Sequence, residues 1–288
     1  MTTQIKHHVV ALMLGVLSYA CPALQGQISF VSGEISGSET WSGTIAMVGD
    51  VTVKPTGSLT ILPGTRIEAD WRSDEMAGGT NQNRIELIVQ GALSAEGTEG
   101  APIVFTVFPG NPPQTLAAGD WYGLRVASQQ VRLRHCVVEY GTVGLSVESG
   151  DPLIEHCRFE KNQRGLLVGA GLEVTLSQSE VVGSTGVGIQ GSRDGKLTLE
   201  GCRLLRNSQG IEWVRDLILT GSGSVISSNT QYGVLVQRKF DLTLTGCEVR
   251  GNGLTGCAES RRLVRHGGQP GGLHHRHTGR RVIIGTGT

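Results

Sequence analysis

Apolar and polar positions in this chain repeat at a fixed spacing. Setting Cys136, Cys157, Ser179, Cys202, Ser224 and Cys247 in one column gives steps of 21, 22, 23, 22 and 23 residues. Three positions before the column stand Leu133, Ile154, Leu176, Leu199 and Leu244. Two positions after it stand Val138, Phe159, Val181, Leu204, Ile226 and Val249. Each unit then closes on a glycine followed by an apolar residue: Gly144-Leu145, Gly165-Leu166, Gly188-Ile189, Gly210-Ile211 and Gly233-Val234. An extended residue advances about 3.3 Å, so a unit of this length holds three short strands and three turns. No such unit can bury its own apolar face, but stacked units enclose a continuous core and pair their backbones above and below. The L-x-x-L-x-L ladder of leucine-rich repeats is absent.

Upstream, residues 44–68 and 84–106 carry shorter bursts of the same kind. Val51, Val53, Leu59, Ile61 and Ile67 alternate with polar residues, and Gly57, Pro63 and Gly64 punctuate them, which is a pattern of strands and turns. The polar run 70–83 and the proline-bearing run 108–118 read as loops projecting from the coils, and strands resume over 119–126. Within each unit the apolar residues flanking the cysteine column are separated by an odd number of positions, so the chain must bend between them. The residues at the bend are His135, His156, Gln178, Gly201, Gly223 and Gly246. A left-handed residue makes such a bend, and that conformation favours Gly and tolerates His better than bulky types.

The coil PLIEHCRFEKNQRGLLV, within 151–168, resembles the repeat of right-handed parallel β-helix proteins, the pectate-lyase-like group. GDVTV, GSLTILPGT, APIVFT and GDWYGL look like the N-terminal coils of secreted bacterial members, and the resemblance runs over about 44–256. It implies an all-β fold, a right-handed parallel β-helix built as a single-stranded solenoid of about 21–23 residues per coil. The domain organisation expected is a signal peptide over 1–26, an N-terminal cap region over 27–50, the β-helix over 51–256 and an atypical basic tail over 257–288.

Composition fits many short strands: there are 43 glycines, aromatics make up 5%, and no long helix-forming run occurs. Formal net charge is zero, so nothing in the overall charge points to nucleic acid. Lys6, His7 and His8 precede the apolar run VVALMLGVLSY, which is too short for a bilayer span of about 20 residues and fits a secretory signal. The expected location is therefore secreted, periplasmic or at a bacterial cell surface, with no integral membrane span after signal removal. Lipidation at Cys21 is the minority reading, because Leu17 stands one position too far from it. After Gly256 the repeat stops, and 257–288 carries six arginines and one acid. That segment reads as out of frame or disordered, because an open solenoid end demands another coil. A tail binding an anionic surface and a His274, His275, His277 metal tract are the alternatives.

Candidate chemistry sits on outward side chains. Asp151, Glu155, Arg158 and Glu160 are the candidate catalytic residues, because a lyase needs a base with a cation and a hydrolase needs two carboxylates. The same charges also suit a solvated exterior. Trp121, Tyr122 and Tyr140 are candidate sugar platforms or coil-edge packing. His135 and His156 read as stacked turn residues, with a two-histidine metal or acid/base site as the sharper alternative. The cysteines read as buried thiols, with a Cys136–Cys157 disulfide as the alternative, and Asn162, Asn207, Asn229 and Asn252 as a hydrogen-bonded ladder. No cofactor and no metal is expected. The expected partner is a polysaccharide or cell-surface glycan bound by a scaffold module. A polysaccharide lyase or glycoside hydrolase, and an adhesin-like fragment of a longer surface protein, are the alternatives.

Overall fold

A computed structural model describes residues 28–110, 112–238, 240–259 and 282–285. Over these residues the chain is an all-β parallel solenoid of about 10 turns. Each turn contributes one strand to each of three faces. On the first face Val131–Arg134 pairs with Leu153–Glu155, which pairs with Glu173–Ser177. On the second, Cys136–Glu139 is followed by Arg158–Glu160 and Glu180–Val182. On the third, Val143–Ser149 is followed by Arg164–Val168 and then by the start of Val187–Glu200. Val187–Glu200 and Gln209–Ser222 run through a corner and serve two faces each.

The register reproduces the apolar columns. Leu133 stands over Ile154, Ile154 over Leu176 and Leu176 over Leu199. Val138 stands over Phe159, then Val181, Leu204, Ile226 and Val249. All but the last, end-coil Val249 lie in the buried interior, which runs unbroken from Ile35 to Leu244. Gly221 takes the place of a leucine between Leu199 and Leu244, and Leu244 Cδ2 fills the room, 2.6 Å from where a Cβ would stand.

The bend expected at the histidine column is left-handed throughout: His135, His156, Gln178, Gly201, Gly223 and Gly246 have φ of 47°, 52°, 49°, 62°, 56° and 59°. A second left-handed column, absent from the sequence reading, follows the second face: Tyr140, Lys161, Gly183, Arg206, Ser228 and Gly251 have φ between 53° and 66°.

The stack begins inside the segment expected to be a cap. Ile28–Ile35 pairs with Thr44–Val53, and Ser38–Trp41 pairs with Ser58–Ile61. At the other end Thr255–Glu259 adds a rung beside Tyr232–Val236, and Val282–Gly285 pairs with Phe240–Thr245. The expected signal peptide, Cys21 and the remainder of the tail lie outside the described residues. Both long loops, 70–83 and 108–118, leave the stack between the second and third faces on consecutive coils. Their bases meet there: Arg72 Nε donates to Asp120 Oδ1, just past the second run, at 2.8 Å, and Arg84 Nε, just past the first, donates to the Gly119 carbonyl at 2.9 Å.

Candidate functional site

The residues singled out in the sequence separate onto different faces. Glu155 projects from the first face, where it pairs with Arg134 of the preceding coil. Arg158 and Glu160 project from the second face, where Arg158 Nε lies 2.6 Å from Glu160 Oε2 and the guanidinium also pairs with Glu180. Arg203 Nη1 reaches Glu180 at 3.2 Å, so Arg158, Glu180 and Arg203 form a charge ladder running along the stack. Asp151 is exposed on the corner before the first face and shares with Glu155 a depression of about 150 Å³.

The aromatic and histidine candidates also resolve. Trp121 is buried and donates its indole N–H to the Glu139 carbonyl at 2.8 Å, which removes it as a sugar platform. Tyr140 lies under Lys161, with the ammonium 5.2 Å from the ring centre. The His135 and His156 rings stack with centroids 4.7 Å apart and an angle of 9° between planes.

The cysteine and asparagine columns are structural. Cys136, Cys157 and Cys202 are buried and free, and Cys247 is half-buried. Serine shares the column because its hydroxyl accepts from the amide one coil earlier, Cys157 N–H donating to Ser179 Oγ at 3.0 Å and Cys202 N–H to Ser224 Oγ at 2.9 Å, and Cys247 Sγ takes the same part for Ser224 N–H at 3.4 Å. A hydrogen bond with the Cys157 thiol, with burial second, pushes the Cys136 thiol well up. In the asparagine column, Asn207 Nδ2 donates to the Val181 carbonyl at 3.0 Å while its Oδ1 accepts from Ser184 N–H at 2.9 Å. Asn229 and Asn252 continue the ladder, and Ser184 interrupts it.

Two sites emerge that carry polar groups not consumed by the repeat. The first is a groove of about 330 Å³ along the corner between the third and first faces. It crosses four coils and is lined by Glu173, Asp194, Lys196, Asp216 and Asp241 together with Ile218 and Phe240. Asp194 and Asp216 hold the corner in left-handed conformations, φ 53° and 55°, where short polar side chains are tolerated. Lys196 Nζ lies 3.1 Å from Glu173 Oε2, which leaves the groove net acidic around the half-exposed Ile218.

The second lies under the 70–83 loop. From Gly123 to Gly256 the column that opens the third face is glycine. A Cβ at Gly188 would stand 2.6 Å from the Gly210 carbonyl oxygen and 3.0 Å from Asn207 Nδ2. In the two coils before it the same column holds Glu86 and Asp50 instead. Both are buried, at 0% and 6% exposure. Glu86 Oε1 accepts from Thr80 and Asn81 N–H at 2.6 and 2.9 Å, and its Oε2 lies 2.8 Å from Arg125 Nη1. Asp50 Oδ1 accepts from Glu86 N–H at 2.7 Å, and Asp50 N–H donates to Asp74 Oδ1 at 3.2 Å. Burial works against the Arg125 charge, but bonds to Glu148 and Glu86 outweigh it and hold the guanidinium above its usual range. Burial, reinforced by Asp74 and Glu86, raises the Asp50 carboxyl to about 6 against the opposing bond from Glu86 N–H and the charge of Arg125. Sequence reading missed this cluster. Its only local signal is a charged residue, in GDVTV and IELIV, at the position that later coils reserve for glycine.

Residues 122–263 match the family described as "Right handed beta helix region". Neither the curated proteins nor the solved structures yield a match to the chain. The matched coils and those before them form one parallel stack in continuous register, and the chain is a right-handed parallel β-helix repeat protein.

Proposed function

We propose that this β-helix is an exported, cell-surface or secreted scaffold that binds carbohydrate along the corner groove of its C-terminal half. The observation that carries this reading is the lining of the groove. The groove offers the carboxylates of Asp194, Asp216 and Asp241 as hydrogen-bond acceptors, Lys196, paired with Glu173, as a donor, and Ile218 and Phe240 as apolar surface between them. A ligand with hydroxyls on one edge and C–H faces on the other meets both needs, and small-ligand sites are built from that mixture. A glycan array on the exported protein tests the reading. Retention of a defined glycan family is expected, with affinity falling about 10-fold or more in Asp216→Asn, the loss of one charged hydrogen bond. Asn tolerates the left-handed corner, so the backbone is preserved. An array without retained glycans, or unchanged affinity in the variant, would overturn it.

A lyase or hydrolase on the outward face is the second reading, favoured by the depression that Asp151 shares with Glu155. Arg158 and Glu160 stand on the adjoining face, engaged in the charge ladder. Release of reducing ends from a retained glycan, lost in Asp151→Asn and Glu155→Gln, would establish that reading over simple binding.

A further inference from the structure

The cluster under the 70–83 loop has a charge imbalance that its hydrogen bonds do not resolve. Glu86 and Glu148 pair with the guanidinium of Arg125, and Asp50 faces Asp74 and Glu86 as well as Arg125, so four carboxylates gather around one guanidinium. Glu86 and Glu148 are satisfied by Arg125 and by loop amides. Asp50 Oδ2 and Asp74 Oδ2 are buried and have no partner. An unpaired buried carboxylate is strongly disfavoured and is relieved by a cation or by a proton. A hard cation takes six or more oxygen ligands. Here two carboxylate oxygens are unengaged, and among the described residues no group of three or more His, Cys, Asp and Glu is placed to hold a metal ion. The space is also filled: a Cβ at Gly78 would stand 3.0 Å from Asp50 Oδ2. A proton needs no such volume.

We propose that Asp50 is a protonation-controlled latch for the 70–83 loop: with a proton on Oδ2 the loop closes over the third face, and without it the loop is released. The loop contributes Asp74, Gly78 and the Thr80 and Asn81 amides to the closed arrangement, so it is the element that feels the change. The charged groups facing Asp50 are Asp74 from the loop, Glu86 from its own face one coil on, and Arg125 from the coil after that, itself held by Glu148. Loss of the Asp50 proton sets its charge against Asp74 and Glu86 at once, with Arg125 already committed to Glu86 and Glu148. The closed loop holds a proton that the open loop gives up, because the carboxyl is raised to about 6 when covered and returns to its ordinary value of 3.8 when exposed. Closure is therefore complete below the ordinary carboxylate range, weakens as pH rises through about 6 and is constant above it. This device is independent of glycan binding, which is placed on another corner and other coils.

Hydrogen exchange at the Thr80 and Asn81 amides, corrected for intrinsic exchange, reads the latch directly. Protection is expected to fall on the order of 100-fold between pH 4 and pH 7.5, the span set by a shift of this size. Asp50→Asn is expected to hold it at a pH-independent value. Asp74→Asn removes one facing charge and is expected to move the wild-type midpoint to lower protonation affinity, that is, to lower pH; it also decides the matter if Asp50→Asn does not fold. A flat wild-type profile, the same fall in Asp50→Asn, or an unmoved midpoint in Asp74→Asn would overturn the latch. So would recovery of full protection at pH 7.5 on adding millimolar calcium, which would assign the pair to a cation.

Discussion

At the scale of single residues, the repeat separates side chains that the coil requires from those it leaves open. Asn207 belongs to the first kind. Its amide bridges the Ser184 N–H, the Val181 carbonyl and Asn229 in a buried site. Asn207→Ala strands those groups without water, and a loss of about 2–4 kcal/mol is expected from the cost of buried unpaired polar atoms. Asn252→Ala, at the half-buried end of the ladder, is expected to cost about 1 kcal/mol or less. Urea unfolding of the two variants measures the difference, and equal losses would refute a buried ladder. His156 was legible for a related reason. Its left-handed φ of 52° is a backbone demand repeated at one column, so the residue types there report it. The second left-handed column was not legible. Tyr140, Lys161, Arg206 and Ser228 share no side-chain chemistry, and only Gly183 and Gly251 in that column are of the type the conformation favours, so the residue types there do not report it.

Among elements, the third face depends on glycine for close approach. Gly188→Ala would drive a Cβ into the Gly210 carbonyl, which is backbone and cannot rotate away. Overpacking of this kind is expected to destabilise by about 1–3 kcal/mol. Gly37→Ala, where a Cβ would meet nothing within 4 Å, is expected to stay within about 0.5 kcal/mol of wild type. Thermal midpoints of the two variants distinguish them, and similar midpoints would remove close approach as the reason for the column. Loops obey a different logic. The runs 70–83 and 108–118 were recognisable as interruptions of strand alternation, but not as neighbours. They meet because consecutive coils release them at the same corner, which a linear reading without register does not show.

For the molecule as a whole, each coil touches only its neighbours, so stability is distributed along the axis and the ends open first. The thiols sample that gradient, with Cys136, Cys157 and Cys202 inside the stack and Cys247 near its end. A thiol reagent followed site by site with mass spectrometry is expected to modify Cys247 well before Cys136, Cys157 and Cys202, and equal rates at these four would contradict end-first opening. The sequence by itself determined the coil length, the three apolar columns, the bend and the asparagine ladder, because a repeated local requirement leaves the same residue type at the same position in every turn. Tertiary structure alone decided where the charges converge. Asp50 reaches Asp74 24 residues away and Glu86 36 residues away, and Arg125 comes to Glu86 across 39. The two longer separations follow from the coil length plus an inserted loop, 70–83 between Asp50 and Glu86 and 108–118 between Glu86 and Arg125, each of which occurs once. A contact made once leaves no periodic trace, and only stacking the coils in register brings its parts together.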